Sequence, residues 1–428
     1  MRISFWMIFL LALPLTAQAE GVTAGAGQQM QTHQPLRQMF DLAWARQAAS
    51  QALPEQRQAA AARQAAAAAW TPEPVAIEVG GRSDRFNQNR GAAEVELGVA
   101  IPLWLPGERA GRRALADTEA GLLEEAQTAW RWQLAGELRS AWWDWHLARE
   151  DALLAVGELT SAQHLSDDVV RRVAAGVLSR ADQHQAAAAL ASARAAKAEA
   201  DFRLAKAAAA LHTLTGVAPE FSANLASGQS DLLPAQPALE LPPVIQGEGW
   251  LDAHPRLRVL RFQSEQARHS QSLARTRSRA NPEFTLATRR ERGARGEAGE
   301  QSWAMGLRIP LSSGAQHAAA IADANAALIS AEITYLRERE QVLFAAQLGQ
   351  QQWQAAVQRR LASEEAARLA RETLGFFVKS FQLGETDLPT RLRVEQAAFA
   401  AERAAQRARI EQAAALSAYR QALGLLPE

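Results

Sequence analysis

Two stretches of the chain alternate apolar and polar residues with a period of two. Val95, Leu97, Val99, Ile101 and Leu103 share one side, while Glu94, Glu96, Gly98 and Ala100 take the other. That is the pattern of a strand with a single apolar face. Trp303, Met305, Leu307, Ile309 and Leu311 repeat it against Ser302, Ala304, Gly306 and Arg308. Earlier partners are Val75, Ile77 and Val79 before the polar loop Phe86 to Arg90, and Phe284 and Leu286 before the loop Gly293 to Gly299. The pattern predicts two hairpins, with strands at about 74–84, 92–103, 282–292 and 300–311. Each is about ten residues long, the length a tilted strand needs to cross a bilayer.

Long helices fill much of the rest. No proline stands between Pro106 and Pro219, so a helix from about 108 to 175 is predicted, roughly 100 Å long at the usual rise. No compact domain of this size holds such a helix. Its counterpart runs over about 314–383, and returning helices over about 179–216 and 387–424. The returning helices carry heptad-spaced alanines and leucines, Ala193, Ala200, Ala207 and Leu214 in one, Ala401, Ala408, Ala415 and Ala422 in the other. Small residues at that spacing predict closely packed helices.

These correspondences are a duplication. Gly98-Val99-Ala100-Ile101-Pro102-Leu103 returns as Gly306-Leu307-Arg308-Ile309-Pro310-Leu311, and Trp145, Gly176 and Gly216 return as Trp353, Gly384 and Gly424, all displaced by 208 residues. Leu115-Ala116-Asp117 and Ile321-Ala322-Asp323 are 206 apart, so the halves carry small compensating indels. The predicted organisation is a first repeat over 20–216, a segment rich in Pro, Ala and Leu over 217–247, and a second repeat over 248–428.

The chain opens with Met1-Arg2, an apolar run from Phe5 to Leu15, and Ala17-Gln18-Ala19, the order of a secretory signal. Residues 1–19 are therefore expected to be removed on export. Composition narrows the field. Of the 428 residues 48% are hydrophobic, but 95 are alanine, so nearly half of that fraction is a methyl group and bulky cores are scarce. The 46 basic residues balance the 46 acidic ones, which disfavours nucleic acid as a partner. There are no cysteines, and hence no disulfide, thiolate metal site, cysteine nucleophile or lipid-modified N-terminal cysteine. The histidines are scattered without paired spacing, so no metal site and no cofactor is expected. Asp144 with His146, and Asp182 with His184, are two apart on helices and point away from one another, which argues against an enzyme.

Both helix-to-helix turns are well marked. Gly176 ends one helix, and Ser179-x-x-Asp182 opens the next with the spacing of a capping box. Gly384 ends its counterpart, with Asp387 or Thr386 as the cap and Pro389 in the first turn. Val177 and Leu178 are apolar at an expected exposed tip, where a partner protein would cover them.

A soluble half-buried sheet would explain any one strand, and a plain coiled-coil rod would explain the helices. Export, four membrane-length strands and duplication together point elsewhere. Four strands cannot close a barrel, and open edges in lipid leave backbone groups unpaired, so several copies must share one barrel.

At this point the chain resembles the outer-membrane efflux proteins, the TolC-like channel family. The resemblance covers about Leu36 to Gly424. It rests on Ile101-Pro102-Leu103 and Ile309-Pro310-Leu311, on Ala141-Trp142-Trp143-Asp144-Trp145, on Gly176-Val177-Leu178-Ser179 with Asp182 and Ala186, and on Leu214-Thr215-Gly216. It implies a mainly α protein with a membrane β-barrel contribution: a homotrimer whose chains each give four strands to one twelve-stranded barrel, continued by a long α-helical barrel through the periplasm. The implied partners are outer-membrane lipid, a periplasmic adaptor protein and an inner-membrane pump of the proton-driven resistance-nodulation-division type. By similarity, Gly176, Val177, Leu178, Ser179, Gly384, Glu385 and Thr386 form the adaptor-contact tip. Some relatives narrow the closed tip with acidic residues six and nine positions after the second glycine, but here Thr390 and Arg393 stand there. Asp182, Asp387, Thr390 and Arg393 are the gate candidates, although for Asp182 the capping-box role is the better explanation. Leu105-Pro106-Gly107-Glu108-Arg109 followed by Arg112-Arg113 resembles the heavy-metal cation branch more than the drug or type I protein-export branches. The expected function is passive conduction from periplasm to exterior, with a structural periplasmic coiled coil as the rival from another class.

Overall fold

A computed structural model describes residues 35–87, 89–217, 240, 242–243, 247–311 and 314–427. The expected signal segment 1–19 and most of the segment 217–247 lie outside the described residues.

The four strands are β1 (Ala76–Ser83), β2 (Ala93–Pro102), β3 (Glu283–Arg292) and β4 (Glu300–Arg308). They form one antiparallel sheet in the order β1-β2-β3-β4. Register turns the sequence alternation into rows: Ile77, Val99, Leu286 and Met305 stand side by side, and Val79, Leu97, Thr288 and Trp303 make the next row. On the other face Glu78, Gly98, Ala287 and Ala304 align, followed by Gly80, Glu96, Arg289 and Ser302, then Arg82, Glu94, Glu291 and Glu300. Arg289 bridges Glu94 at 2.9 Å and Glu96 at 3.4 Å there. Among the described elements no helix packs on either face. The apolar rows are bare as a result, with Ile77 and Met305 each 74% exposed and Trp303 70% exposed. A soluble sheet would bury that face against another layer.

Eight helices complete the described chain: α1 (Pro35–Arg46), α2 (Ala48–Ala67), α3 (Glu108–Ala174), α4 (Arg180–Thr215), α5 (Trp250–Ala253), α6 (Pro255–Thr276), α7 (Gly314–Gln382) and α8 (Leu388–Ala422). α4 folds back along α3 and α8 along α7, while α6 lies against both long helices. The α4 seam is a heptad pattern, with Ala186, Leu190, Ala200, Leu204 and Leu211 buried and Ala193, Ala207 and Leu214 half-buried between them. In α8 Ala408 is buried, and Ala401, Ala415 and Ala422 are half-buried.

The sheet joins the helices through a knot around Glu108. Its carboxylate is fully buried, accepts from Asn281 Nδ2 at 2.6 Å, and pairs with Arg112 at 3.0 Å and Arg277 at 3.1 Å. Arg109 and Arg113 both donate to the carbonyl of Ala68, at 2.5 and 3.5 Å, at the C-terminal end of α2 where positive charge is favoured. Arg112 reaches the Pro72 carbonyl and lies over the Trp104 ring. The basic motif that follows β2 is thus occupied in holding the strands to the helices. Farther along, Glu240 sits between two buried guanidinium groups, 2.8 Å from Arg139 of α3 and 3.3 Å from Arg420 of α8.

The main core lies at mid-height of α3, where Leu138, Trp142, Trp145 and Ala152 meet Met39 and Phe40 of α1 and Leu204 and Leu211 of α4. His146 stands edge-on between Trp142 and Trp145, with ring centroids 4.7 and 4.8 Å away. His254 packs edge-on against Trp132 at 5.1 Å. Burial holds His146 down to about 3, the charge of Arg149 adding to the effect, and burial holds His254 down to about 4. In the unfolded chain each imidazole takes a proton near 6.5. Between that value and the folded values the unfolded state binds more protons, so the contribution is complete above about 6.5 and is lost as the pH falls through the window. Each histidine costs on the order of 1 kcal/mol per pH unit there. Thermal melting from about pH 7.5 to about 4.5 is expected to show a falling midpoint, and His146→Leu a shallower fall; an unchanged slope in the variant would contradict the assignment.

Candidate functional site

The chemistry of interest lies at the two ends of the molecule, the bare sheet and the far turns of the helix pairs. At the first turn α3 ends on Gly176, whose φ of 75° is left-handed. Gly176 N–H donates to the Val173 carbonyl at 3.0 Å and Val177 N–H to the Arg172 carbonyl at 2.9 Å, the paired bonds of a Schellman ending. Ser179 then caps α4 in a complete capping box: Asp182 N–H donates to Ser179 Oγ at 3.2 Å, and Ser179 N–H donates to Asp182 Oδ2 at 2.9 Å. The Ser179 hydroxyl donates to the same Asp182 oxygen at 2.7 Å. The Asp182 carboxylate is thereby held against its own turn.

The second turn repeats the construction with other residues. Gly384 has φ 80°, its N–H donates to the Phe381 carbonyl at 3.2 Å, and Glu385 N–H donates to the Ser380 carbonyl at 2.9 Å. Asp387 caps α8 by accepting from Thr390 N–H at 3.1 Å. Hydrogen bonding by Thr390 holds the Asp387 carboxyl below its ordinary range, and Arg393 adds a smaller electrostatic effect. Glu385 and Thr386 fold over the last turn of α7, where Ser380 Oγ lies 2.6 Å from Thr386 Oγ1. Thr390 is half-buried and Arg393 exposed.

The two turns lie side by side and share a core. Leu165 and Val169 of α3, Ala186 of α4, Phe381 of α7 and Leu388 of α8 form one buried cluster. Phe381 is clasped by two guanidinium groups, Arg172 with its carbon 5.0 Å from the ring centre and Arg391 at 4.8 Å. Arg172 also donates to the Phe381 carbonyl at 3.3 Å and pairs with Asp168 at 3.0 Å. Burial lowers Arg391, partly offset by Glu395 and Asp168. Of the two apolar residues expected at the first tip, Val177 is 69% exposed. Leu178 is not: it is half-buried against the shared cluster, because the Schellman turn folds the residue beyond Val177 back over the helix ends. The exposed apolar residue of the second turn is Leu383, 75% exposed.

Among the described residues no group of three or more histidines or carboxylates is placed to hold a metal ion. No described helix is long and apolar enough to cross a membrane.

Comparison with known proteins bears directly on this arrangement. Residues 49–217 match the family described as outer membrane efflux protein. Over 212 residues the chain is 31% identical to the cobalt-zinc-cadmium resistance protein CzcC of Cupriavidus metallidurans, a match that spans 49% of this chain and about half, 48%, of the relative. The fold is similar to that of CusC, whose structures concern transmembrane channel formation, with 16% identity, a TM-score of 0.76, and coverage of 94% of this chain and 95% of the other. It is also similar to the outer membrane protein VceC of Vibrio cholerae, with 17% identity, a TM-score of 0.72, and coverage of 92% and 97%. The fold is the one these two solved proteins share.

Within this fold, the contact that sequence reading missed is the Arg172–Phe381–Arg391 clasp. Its three residues lie on α3, α7 and α8, and only the Schellman glycines hinted that the two turns would meet. Replacing Phe381 with Ala is expected to destabilise the shared cluster by about 3–5 kcal/mol. Because one ring serves both turns, amide exchange in residues 165–186 and 381–392 is expected to accelerate together; acceleration at only one turn would show that they are independent.

Proposed function

We propose that three copies of this chain close a twelve-stranded barrel in the outer membrane and continue it as a helical tunnel into the periplasm. In this reading the chain is a passive conduit, loaded by an inner-membrane, proton-driven pump through a periplasmic adaptor. The observation that carries the reading is the bare four-stranded sheet, apolar across one face and unpaired at both edges. In lipid each unpaired backbone group costs several kcal/mol, so β1 and β4 each require a strand from another copy. The uncovered apolar side chains of α7, among them Ile329, Ile333, Leu336, Phe344 and Leu348, add support, since a neighbouring copy would cover them.

Heavy-metal cations are the proposed cargo. The likeness to CzcC supports this, as does the polar sheet face, which would line the barrel. Glu291 and Glu300 stand directly opposite one another there, beyond Glu94, which Arg289 bridges; this adjacent like-charge pair weakens the sheet and is one that a cation pathway would exploit. The adaptor contact is assigned to Gly176, Val177, Leu178, Ser179, Gly384, Glu385 and Thr386. For gating, Asp182 and Asp387 are committed to helix caps, which leaves Arg393 as the exposed charged group of the candidate set.

The protein is expected to leave outer membranes only with detergent and to run as a trimer by light scattering; a detergent-independent monomer would overturn the reading. At the tip, Gly176→Val, which forces a β-branched residue to positive φ, and Val177→Glu are each expected to abolish crosslinking to the adaptor while the trimer persists. Unchanged crosslinking and unchanged metal tolerance would remove the tip assignment.

A further inference from the structure

The hairpin end of the sheet carries a set of arginines that channel formation does not use. Register places Arg290 between Val95 and Gln301, and Arg292 opposite Ala93. Both therefore lie on the same face as Leu286 and Thr288, directly beyond the apolar rows. Both are exposed, and among the described residues neither forms an ion pair. Arg289, one residue away on the opposite face, is instead held by Glu94 and Glu96. Arg85, Arg90 and Arg295 of the two hairpin loops are likewise exposed and without an ion pair among the described residues.

Of the acids at this end, Glu291 and Glu300 lie on the opposite face of the sheet, and the two loop acids are occupied by backbone. Asp84 accepts from Arg90 N–H at 2.7 Å and from Gly91 N–H at 3.2 Å, and Glu297 from Ala294 N–H at 2.9 Å. The loops are also locked together. Arg295 N–H donates to the Arg90 carbonyl at 3.1 Å, its guanidinium to Asn89 Oδ1 at 2.9 Å, and Arg292 Nε to the Gly91 carbonyl at 3.2 Å. Gly91 has φ 96°, and a Cβ there would fall 2.4 Å from Arg295 Cγ, so the close approach requires glycine. The arginines are thus held on a fixed frame at the rim of an apolar band.

We propose that Arg290 and Arg292, with the loop arginines beside them, bind the phosphate groups of the glycolipid that forms the outer leaflet of the bacterial outer membrane. The inference rests on the barrel reading above. A guanidinium on the lipid side of a strand must reach the interface or find an anion, and its planar fork matches a phosphate with two parallel bonds. The helices leave the opposite end of the strands, so this rim faces the outer leaflet, whose headgroups are phosphorylated sugars. The source is therefore the glycolipid and not the phospholipid of the inner leaflet.

The test uses full-length protein extracted from outer membranes in mild detergent, with glycolipid quantified by its 3-hydroxy fatty acids and phospholipid by its glycerol phosphate. Wild type is expected to retain glycolipid in excess over phospholipid, Arg290→Gln/Arg292→Gln to lose it several-fold, and Arg290→Lys/Arg292→Lys to keep most of it. Arg289→Gln, on the other face, should match wild type. Washing wild type with pyrophosphate, a competitor for guanidinium groups, should release the glycolipid without dependence on any variant. Retention by the Gln pair, equal loss in Arg289→Gln, an excess of phospholipid, or resistance to pyrophosphate would each overturn the inference while a membrane-extracted trimer left the barrel reading standing. Wild type that is absent from the outer-membrane fraction would overturn the barrel reading and this inference with it.

Discussion

Backbone hydrogen bonding at the two open edges of the sheet is the constraint on which the proposed assembly depends. A strand in hydrocarbon must pair on both sides, because no water is present to accept its N–H or donate to its carbonyl. β2 and β3 meet that demand within the chain, and β1 and β4 meet half of it. The apolar rows exclude water as the alternative, since exposing Ile77, Val79, Trp303 and Met305 to solvent carries a cost of roughly 25 cal/mol per Å². On the proposed reading, a sheet that is apolar on one face and unpaired at both margins is completed by neighbouring copies.

The helices carry a related demand in a different form. Helices as long as α3 and α7 are not stabilised by propensity alone, and most of their stability comes from packing an apolar face. Alanine allows close approach but buries little surface per residue, so many contacts of small area must be made along the whole length. This explains why the bulky side chains are concentrated: tryptophans at mid-height of α3, and a single phenylalanine clasped by two arginines at the turns. It also explains the Glu108 knot, where the chain passes from sheet to helix and neither apolar face is available to hold the junction.

Much of this was legible in the sequence because it is periodic. A period of two located four strands and their apolar face, and a period of seven located the packed side of α4. The caps were legible for another reason: Gly176, Ser179, Asp182, Gly384 and Asp387 act on their own neighbours, so spacing alone reveals them. What spacing could not reveal were contacts between distant segments. The partners of Phe381 come from α3 and α8, and the fate of Leu178 depends on which helices stand behind its turn. The basic motif at Arg109, Arg112 and Arg113 reads as a family resemblance in sequence, yet in the fold its work is to satisfy carbonyls at Ala68 and Pro72.

The duplication is the feature that links these observations, because its two copies have been used differently. Trp145 is buried in the main core with His146 against it, whereas its counterpart Trp353 is only half-buried and is followed by Gln354. α3 contributes buried residues along most of its length, while α7 leaves a series of large apolar side chains uncovered. Two equal copies within one chain would have given two equal cores and a self-sufficient fold. Here the first repeat, which holds the sequence match to the efflux family, builds most of the intramolecular core, and the second keeps apolar surface in reserve. The sheet is divided differently, by position and not by repeat: the edge strands β1 and β4 are exposed at every position, while the central strands β2 and β3 are partly buried between their neighbours. Uncovered surface on α7 and an unpaired margin on β4 belong to the same repeat, so a single neighbouring copy approaching that side would satisfy the apolar and the hydrogen-bonding demand together.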